Sequence, residues 1–587
     1  MAHNGPTPLR GWARRHLPLP LRAWVVNLVG SGPAAAPPPA APARNPDGVA
    51  GAIDIPIVDA VVDSDVLVVH GWAAIGGRVP ASVELRLDGR SAGPARLGIP
   101  RPELTGVAGL DAFCVGFEST ISLDHHVPGD VVEVTALARE LGSGVRHHVA
   151  TKRFVVGDRA TAPRRAAARV RAARRSRPSS GPHVLAVTHR LDYGGAQLYL
   201  QDLLAGLAEA RRHRLTVLSP HDGPLRAGLE DQGITVHVSG SWAELEPAAH
   251  DGRLAEAEAW ARAAGVDAVI VNTLTAFSGA CLAMRLHVPC IWAVHESYPL
   301  REFWHAGFGP GFPPEVRDRA ESAMRSADRA VFEATATRRL LAGAFGRGRS
   351  VVVPYGIRVG EVEGRAARLS AGDLRAALDI DLSSTVALCM GTIEPRKSQS
   401  LLLRAFIEVA DRHPDAVLVL VGDHDDYLCK QIRHAAAGSG LGQRVRIVPI
   451  TPDPLPWYVV CDLLVSASDV ESVPRSAMEA MACARPILAA DCFGVGELID
   501  DGVEGWTFPP RDLDALVAAL DRALSATRQR REVMGAAGRD RVRAQHDAGG
   551  YVAAYLGILD DLLGATPTTV NPSADRGAGP AVDSTLP

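Results

Sequence analysis

Short stretches of alternating hydrophobic and polar residues indicate β structure between residues 49 and 157. The alternation is clear in Val83-Glu84-Leu85-Arg86-Leu87 and returns in Val132-Glu133-Val134-Thr135-Ala136. A period of two places every second side chain on one face of a half-buried strand. The pair Asp88-Gly89 follows the first run and is typical of a tight turn. The pattern therefore predicts a small β-sandwich-like module over residues 49–157.

From residue 183 onward, short apolar strands alternate with amphipathic helices. Leucines 200, 203, 204 and 207 share one face of the first helix. Repeated βα units predict largely parallel sheets, so we expect an α/β class fold. Two Rossmann-like domains, over residues 183–375 and 376–547, would enclose a cleft in which such sheets usually bind ligands. The predicted strands are 183–187, 215–218, 236–238, 269–271, 290–294, 351–353, 386–390, 417–421, 445–448, 463–465 and 487–488.

The remaining segments differ in composition. Residues 1–48 are predicted to be a tail that ends in a Pro/Ala linker, or alternatively to contain a short surface helix that touches anionic lipid. Residues 158–182 form an Arg-rich linker, whose charges could also dock on anionic lipid or an acidic partner. Residues 548–564 are predicted to be a helix with Tyr551, Leu556, Leu559 and Leu562 on one face, and residues 565–587 a disordered tail.

Composition narrows the class of protein further. The 587 residues carry 62 Lys and Arg against 66 Asp and Glu, so no basic field exists to attract nucleic acid. Eight cysteines without a C-x-x-C pair argue against a disulfide scaffold and fit a reducing, cytoplasmic compartment. No apolar run approaches the roughly 18–20 residues of a membrane-spanning helix.

Two candidate site segments lie in the first α/β domain. Gly194 and Gly195 follow the first strand, where backbone N–H groups at a helix N-terminus suit a phosphate or a sugar. The segment is not G-x-G-x-x-G, so the dinucleotide fingerprint is absent, and a plain tight turn is the alternative. His295 follows an apolar strand and would face the ligand crevice, although a structural histidine is equally compatible with this position.

A third segment, residues 391–398, connects a strand to a helix in the second domain. Gly391 permits the turn, and Arg396 and Lys397 place two cations where the strand leads into the helix. Such a pair is suited to bind a diphosphate, whereas adjacent basic residues are also often merely solvated. The segment has the wrong spacing for a P-loop.

The fourth segment, residues 470–486, is the most informative. Pro474 fits the first turn of a helix, which places Glu471 in the preceding loop and Glu479 about two turns along the helix. One carboxylate can then reach into the cleft, and the other can accept hydrogen bonds from a ligand such as a ribose. N–H groups of the first turn favour negative charge at the same place.

Together these segments resemble the retaining glycosyltransferases of family 4, which have the GT-B fold. The family's E-x7-E signature, with the following A-M-A and R-P, matches residues 471–486, and its G-G-A turn matches Gly194-Gly195. Its cleft histidine matches His295, its turn lysine matches Lys397, and its G-x-x-E loop resembles residues 491–498. The resemblance covers roughly residues 183–564. It implies that the predicted C-terminal helix crosses back onto the first domain.

The resemblance also implies roles for individual residues. Glu479 would hold the ribose of a nucleotide-sugar donor, Glu471 would contact the transferred sugar, and Lys397 would neutralise the diphosphate. Gly195 would approach the donor, and His295 would contact its sugar. The catalytic residues implied are His295, Lys397 and Glu471; the donor-binding residues are Gly194, Gly195, Thr392, Arg396, Lys397, Glu471, Ser472, Val473, Pro474 and Glu479. Many family members carry an arginine where this chain has Thr392, and Arg396 is a possible replacement.

The expected function is transfer of a sugar, with retained anomeric configuration, from a nucleoside diphosphate to an acceptor hydroxyl. No cofactor or metal is expected. Asp423-His424-Asp425 matches a D-x-D pattern, but it lies in a predicted turn between a strand and a helix, where aspartates are common. Expected partners are the nucleotide-sugar donor and a glycan or lipid-linked acceptor of cell-envelope or extracellular polysaccharide synthesis. The expected location is the cytoplasm, with peripheral contact to an anionic membrane as an option. Alternatives are other GT-B chemistry, such as a phosphorylase or a sugar-nucleotide epimerase, and a non-catalytic glycan-binding protein.

Overall fold

The computed structural model describes residues 49–55, 61–62, 66–76, 78–99, 115–123, 125–127, 130–156, 181–241, 246–309 and 312–564. The predictions for residues 1–48, 158–180 and 565–587 lie outside these described residues.

The N-terminal β module forms one eight-stranded sheet in the order β1-β3-β6-β5-β4-β7-β8-β2. Its neighbouring strands are antiparallel, except for the parallel pair β2 and β8. The strands are β1 Val49–Ile55, β2 Val61–Val62, β3 Val66–Ile75, β4 Ser82–Leu87, β5 Arg90–Ile99, β6 Gly116–Ser122, β7 Val131–Arg139 and β8 Arg146–Val156.

Strand β5 joins the two halves of this sheet. Its first part, through Ala95, pairs with β4, and its second part, from Arg96, pairs with β6. The alternation in β4 buries Val83 and Leu85, as the sequence pattern predicts. The turn Asp88-Gly89 between β4 and β5 has positive φ at both residues, 48° and 78°, which suits a tight hairpin.

The first α/β domain contains a seven-stranded parallel sheet in the order β11-β10-β9-β12-β13-β14-β15. Helices pack on both of its faces, and its central strands, His183–Val187, Ala268–Asn272 and Cys290–Val294, are buried along their whole length. The strands are β9 His183–Val187, β10 Arg214–Ser219, β11 Thr235–Val238, β12 Ala268–Asn272, β13 Cys290–Val294, β14 Arg329–Phe332 and β15 Ser350–Val352. The helices are α1 Gly195–Glu209, α2 Leu225–Asp231, α3 Pro247–Ala264, α4 Phe277–Leu286, α5 Leu300–Phe308, α6 Pro314–Ser326 and α7 Thr335–Leu341.

The second α/β domain contains a six-stranded parallel sheet in the order β18-β17-β16-β19-β20-β21. The strands are β16 Thr385–Met390, β17 Ala416–Asp423, β18 Val445–Pro449, β19 Leu463–Ser466, β20 Ile487–Ala490 and β21 Gly505–Phe508. The helices are α8 Val359–Ala366, α9 Ala371–Ala377, α10 Gln399–Val409, α11 Tyr427–Gly438, α12 Leu455–Val460, α13 Arg475–Ala482, α14 Val495–Leu498, α15 Leu513–Ser525 and α16 Arg528–Gln545.

Helices α8 and α9 pack against α12 and α13, on the second domain. Arg375 of α9 donates to the carbonyl of Val460 and to the Asp462 carboxylate, which fixes α9 there. Helix α8 ends before residue 375, where the sequence pattern places the domain boundary, and helix α9 spans that residue.

Helix α17, Ala548–Leu563, packs against α1 of the first domain. The Tyr551 hydroxyl donates to the carbonyl of Tyr199 at 3.0 Å, and the Tyr199 and Tyr555 hydroxyls lie 2.8 Å apart. The buried face carries tyrosines 551 and 555 and leucines 559 and 563. This face follows an i, i+4 spacing, so Leu556 and Leu562, which the predicted stripe includes, lie at its edge and are only partly buried.

The predicted fold class is confirmed: two parallel α/β domains follow an antiparallel β module. Within the described ranges, no helix combines the length and apolar character needed to cross a membrane.

Candidate active site

The turn that carries Lys397 begins directly after β16. Gly391 has φ of +138°, a conformation that side chains with a Cβ rarely adopt, and a Cβ there would lie 3.3 Å from Lys397 Cε. The glycine thus lets the lysine side chain lie across the backbone. Residues 395–397 form a short 3-10 helix, and Ser398, with φ of 50°, starts α10. Lys397 is therefore fixed at the carboxyl end of a central strand.

Lys397 and Glu471 form the centre of an ionic cluster. Lys397 Nζ donates to Glu471 Oε1 at 2.7 Å, and Arg396 Nη1 lies 3.3 Å from the same oxygen. The Ser468 hydroxyl donates to it at 3.0 Å. Burial alone would raise the pKa of Glu471, but Lys397 and Arg396 outweigh burial and lower the pKa to about 2. Glu471 is thus ionised at neutral pH. Arg396 Nη2 also pairs with Glu394 Oε1 at 2.6 Å, so the cluster combines two carboxylates with two cations.

Asp469 ties the loop that carries Glu471 to the turn that carries Lys397. Its backbone N–H donates to the carbonyl of Arg396 at 2.8 Å, and its Oδ1 accepts from the Ser398 hydroxyl at 2.9 Å. Sequence reasoning did not identify Asp469, because an aspartate within a loop next to a conspicuous glutamate gives no separate signal.

The loop from Ser472 to Pro474 contacts the first domain across the cleft. The Ser472 hydroxyl lies 3.2 Å from that of Thr337, which in turn lies 2.9 Å from the hydroxyl of Ser297. Val473 is buried. Pro474 is the cap residue before α13, one position earlier than the first helical turn that the sequence pattern predicts. The loop therefore reaches the segment that follows His295.

Glu479 lies on α13 in a cluster of its own. Its Oε1 accepts from Arg475 Nε at 2.7 Å and its Oε2 from the Tyr458 hydroxyl at 2.9 Å. Arg475 also contacts Asp202 and the Tyr355 hydroxyl, which belong to the first domain and the connection that follows it. Arg475 thus links the second glutamate of the motif to the opposite side of the cleft. The sequence pattern did not identify Arg475 as a site residue.

His295 stands at the carboxyl end of β13, and both of its ring nitrogens are bonded. Nδ1 lies 2.6 Å from Glu333 Oε1, and Nε2 lies 2.8 Å from Asn272 Oδ1. Burial would lower the pKa of His295, but the Glu333 charge and hydrogen bond, together with Glu296, raise it above its usual value. Both ring nitrogens thus face oxygen atoms, an arrangement that suits donation from each.

The N-terminus of α1 contributes the two glycines. Gly194 precedes the helix with extended backbone, and a Cβ there would meet the Gln197 side chain at 2.4 Å. A Cβ on Gly195 would meet nothing within 4 Å, so the first turn of α1 faces open space. Across the cleft, the carbonyl of Thr392 accepts from Gln399 Nε2 at 3.0 Å. Thr392 therefore contributes to the shape of the Lys397 turn.

The predicted charged residues of the site form two separate contact groups, and His295 lies beside the second group. Lys397, Arg396 and Glu471 contact one another, whereas Glu479 is bonded to Tyr458 and Arg475. His295 is connected to the second group through rings: its ring centroid lies 4.3 Å from that of Tyr199, which lies 4.9 Å from that of Tyr355.

The D-x-D sequence starts at Asp423, the last residue of β17, and continues into the short loop before α11. Asp423 and Asp425 both pair with Arg433 of α11. Next to them, ligand-type atoms of His424, Asp426 and Cys429 lie within 4.8 Å of one another and could hold an ion. Asp426 already caps helix α11, because its carboxylate accepts from the backbone N–H of Cys429. His424, Asp426 and Cys429 are not members of the Lys397 cluster.

Family models match both α/β domains. Residues 193–361 match the Glycosyltransferase Family 4 model, and residues 384–526 match the Glycosyl transferases group 1 model. The fold and the site thus define the class of GT-B glycosyltransferase domains. Within that class, the first α/β domain is similar to Glycosyltransferase Family 4 and the second to Glycosyl transferases group 1, and the two matches follow each other in chain order.

Curated relatives match part of the chain. A D-inositol 3-phosphate glycosyltransferase of Geodermatophilus obscurus is 29% identical over 306 residues, which are 49% of this chain and 65% of that protein. A GDP-mannose-dependent alpha-(1-6)-phosphatidylinositol monomannoside mannosyltransferase of Mycolicibacterium smegmatis is 31% identical over 163 residues, 26% of this chain and 42% of that protein. The chain thus spans less than two thirds of these relatives.

Solved structures share the fold. Anabaena HepE in complex with UDP and glucose superimposes with a TM-score of 0.55 at 20% identity, over 65% of this chain and 99% of that one. Sucrose-phosphate synthase of Thermosynechococcus elongatus superimposes with a TM-score of 0.55 at 18% identity, over 66% and 100%. Nearly the whole of each neighbour thus corresponds to about two thirds of this chain.

Proposed function

We propose that the protein is a retaining glycosyltransferase that moves a sugar from a nucleoside diphosphate to an acceptor hydroxyl. The observation that carries the proposal is the contact of Lys397, Arg396 and Glu471 at the carboxyl ends of β16 and β19, within a GT-B fold. This edge of a parallel sheet is where α/β domains bind their ligands.

The two cations stabilise the leaving group. The bond between the anomeric carbon and the diphosphate oxygen breaks, and negative charge grows on that oxygen. Lys397 and Arg396 are held near this position by their own turn, so they need no rearrangement as the charge appears. We expect no metal ion to take part, since Lys397 and Arg396 are placed to contact the diphosphate in exchange for their carboxylate partners. The proton of the acceptor hydroxyl passes to the departing phosphate oxygen as the new bond to carbon forms on the same face.

The remaining residues position the donor. Glu471 accepts from sugar hydroxyls and Glu479 from the ribose. The open first turn of α1 at Gly195 receives the phosphate or sugar. His295 lies at the opposite wall, where Glu333 and Asn272 hold its ring in place. Positioning of this kind can contribute several kcal/mol to the rate.

The comparisons support a nucleotide sugar as the donor. HepE was solved with UDP-glucose as well as with UDP and glucose, and a relative is described as dependent on GDP-mannose. A glycan or lipid-linked acceptor of cell-envelope or extracellular polysaccharide synthesis fits relatives that act on inositol phosphates and phosphatidylinositol mannosides. We place the protein in the cytoplasm, at or near the inner face of the membrane.

A donor screen tests the proposal. UDP, GDP and their sugar derivatives are added to the protein, and the nucleotide that binds raises the melting temperature by mass action. The product made with that donor is then examined by NMR, and we expect the anomeric configuration of the donor to be retained. Inversion, or no stabilisation by any of these nucleotides, would contradict the proposal.

The same assay separates the alternatives. A phosphorylase would release sugar 1-phosphate and would require inorganic phosphate, so activity that depends on phosphate would favour it. A glycan-binding protein would bind oligosaccharide without consuming any donor.

A further inference from the structure

The second half of strand β5 packs against helix α10 and against Asp469, next to the candidate active site. The hydroxyl of Ser400, in the first turn of α10, donates to the carbonyl of Gly98 at 2.8 Å. Gly98 has φ of +79°, and a Cβ there would meet the Ser400 hydroxyl at 2.7 Å, so only glycine allows this approach. Helix α10 follows Lys397 by two residues. The β module is therefore packed against the turn that carries the lysine.

Two residues earlier in β5, Arg96 reaches the loop that carries Glu471. Its Nε donates to Asp469 Oδ2 at 2.5 Å, and its Nη1 lies 3.4 Å from Glu118 of β6. The Asp469 side chain is fully buried and that of Arg96 is 11% exposed. Burial would lower the pKa of Arg96, but the carboxylates of Asp469 and Glu118 raise it above its usual value. A buried ion pair of this kind is costly to break, because the remaining charge has no solvent.

Asp469 connects Arg96 to the loop that carries Glu471 and to the turn that carries Lys397. It is two residues from Glu471, and it is bonded to the carbonyl of Arg396 and to the hydroxyl of Ser398, on either side of Lys397. Arg511 approaches the same oxygen as Arg96, at 3.4 Å. The position of Asp469 thus sets the distance between the lysine turn and the glutamate loop.

The β module also contacts the second α/β domain through ion pairs away from the candidate active site. Arg139 of β7 donates to Asp512 at 2.7 Å and to Asp514 at 2.8 Å, at the start of helix α15. None of the candidate site residues lies on that helix. Arg139 is therefore a matched comparison for Arg96: the same residue type, in the same module, paired with carboxylates of the same domain.

We propose that Arg96 is a positioning residue for sugar transfer: through Asp469 it holds the Lys397 turn and the Glu471 loop at the spacing the donor needs. The β module thereby completes the active site. This inference rests on the proposed function and assigns to the module a role in it.

The test compares substitutions in the full chain, with UDP-glucose and GDP-mannose as donor probes. We expect Arg96→Ala to lower kcat by about 10- to 100-fold, because small misplacements of positioning groups have effects of this size. Arg96→Lys, which keeps the charge, should restore part of the rate. Arg139→Ala should change kcat by less than about 2-fold. Melting temperatures of all variants show whether each remains folded.

A double-mutant cycle isolates the route through Asp469. If Arg96 acts through this carboxylate, Asp469→Asn should lower kcat in the same way, and the double variant should be no slower than the slower single variant. Equal kcat values for Arg96→Ala and Arg139→Ala, or additive losses in the cycle, would overturn the inference while leaving the proposed function intact. A wild-type chain without activity towards any donor would overturn both.

Discussion

Arg475 and Glu479, one helical turn apart on α13, form a 2.7 Å ion pair that also reaches across the cleft to Asp202. The Tyr458 hydroxyl holds the other oxygen of Glu479. A carboxylate has about four acceptor positions, so two remain after these bonds. Glu479 is therefore held in place while still able to accept from the two hydroxyls of a ribose.

The first prediction concerns this glutamate. Glu479→Ala should weaken binding of the cognate nucleoside diphosphate by about 10-fold or more, since each hydrogen bond to a charged group contributes about 1.5–3 kcal/mol. Calorimetry with UDP and GDP measures the change. Glu532→Ala, on the exposed surface of α16, is the control. Unchanged affinity in Glu479→Ala would remove its ribose role.

The second prediction concerns the leaving group. Lys397→Ala should lower kcat by about 100-fold or more, because it removes a preorganised cation from the departing diphosphate. Lys430→Ala, an exposed lysine on helix α11 of the same domain, should leave kcat unchanged. Initial rates at saturating donor give the comparison, and equal rates for the two variants would refute the role of Lys397.

The third prediction concerns pH. The pKa of Glu471 lies near 2 in the folded protein, below its usual value of 4.5. The ionised form therefore stabilises the fold above about pH 4.5, by an amount on the order of 3 kcal/mol, and this stabilisation is lost as the pH falls towards 2. Urea unfolding at several pH values gives the free energy of unfolding of wild type and of Glu471→Gln. The difference between these two free energies should become smaller as the pH falls over this range. A constant difference would contradict the ion pair.

The fourth prediction concerns the lysine turn. Gly391→Ala should lower both stability, by about 1–3 kcal/mol, and kcat, because a Cβ at φ of +138° is strained and touches the Lys397 side chain. Gly438→Ala, in α11, where a Cβ would meet nothing within 4 Å, is the control. Thermal melts and initial rates of the two variants check this directly. A Gly391→Ala variant as stable and active as the control would show that the turn tolerates a side chain.

The hydrophobic pattern predicted most strands of the two α/β domains. Strand β13 was predicted at its observed bounds, Cys290–Val294. Strand β5 was not predicted, because Gly93 and Pro94 lie within it and this pair is typical of a turn. Strands β14 and β21 were not predicted. Each has only four residues, of which one is β-branched.

The site was less accessible to sequence reasoning than the fold. Motif residues such as Lys397 and Glu471 could be named from local spacing, and the contact between them follows from neighbouring parallel strands. The partners Arg96 and Asp469 are 373 residues apart in the chain. No local pattern connects them, because their pairing depends on how the β module packs on the second α/β domain.

The crossing of helix α17 onto α1 has a consequence for how the chain is made. The face of the first α/β domain that contains Tyr199 is covered by residues 548–563, which are synthesised more than 300 residues later. During translation that apolar face stays open until residue 563 has left the ribosome. Chaperone binding to nascent chains should therefore persist at this face long after the sheet of the first domain has formed.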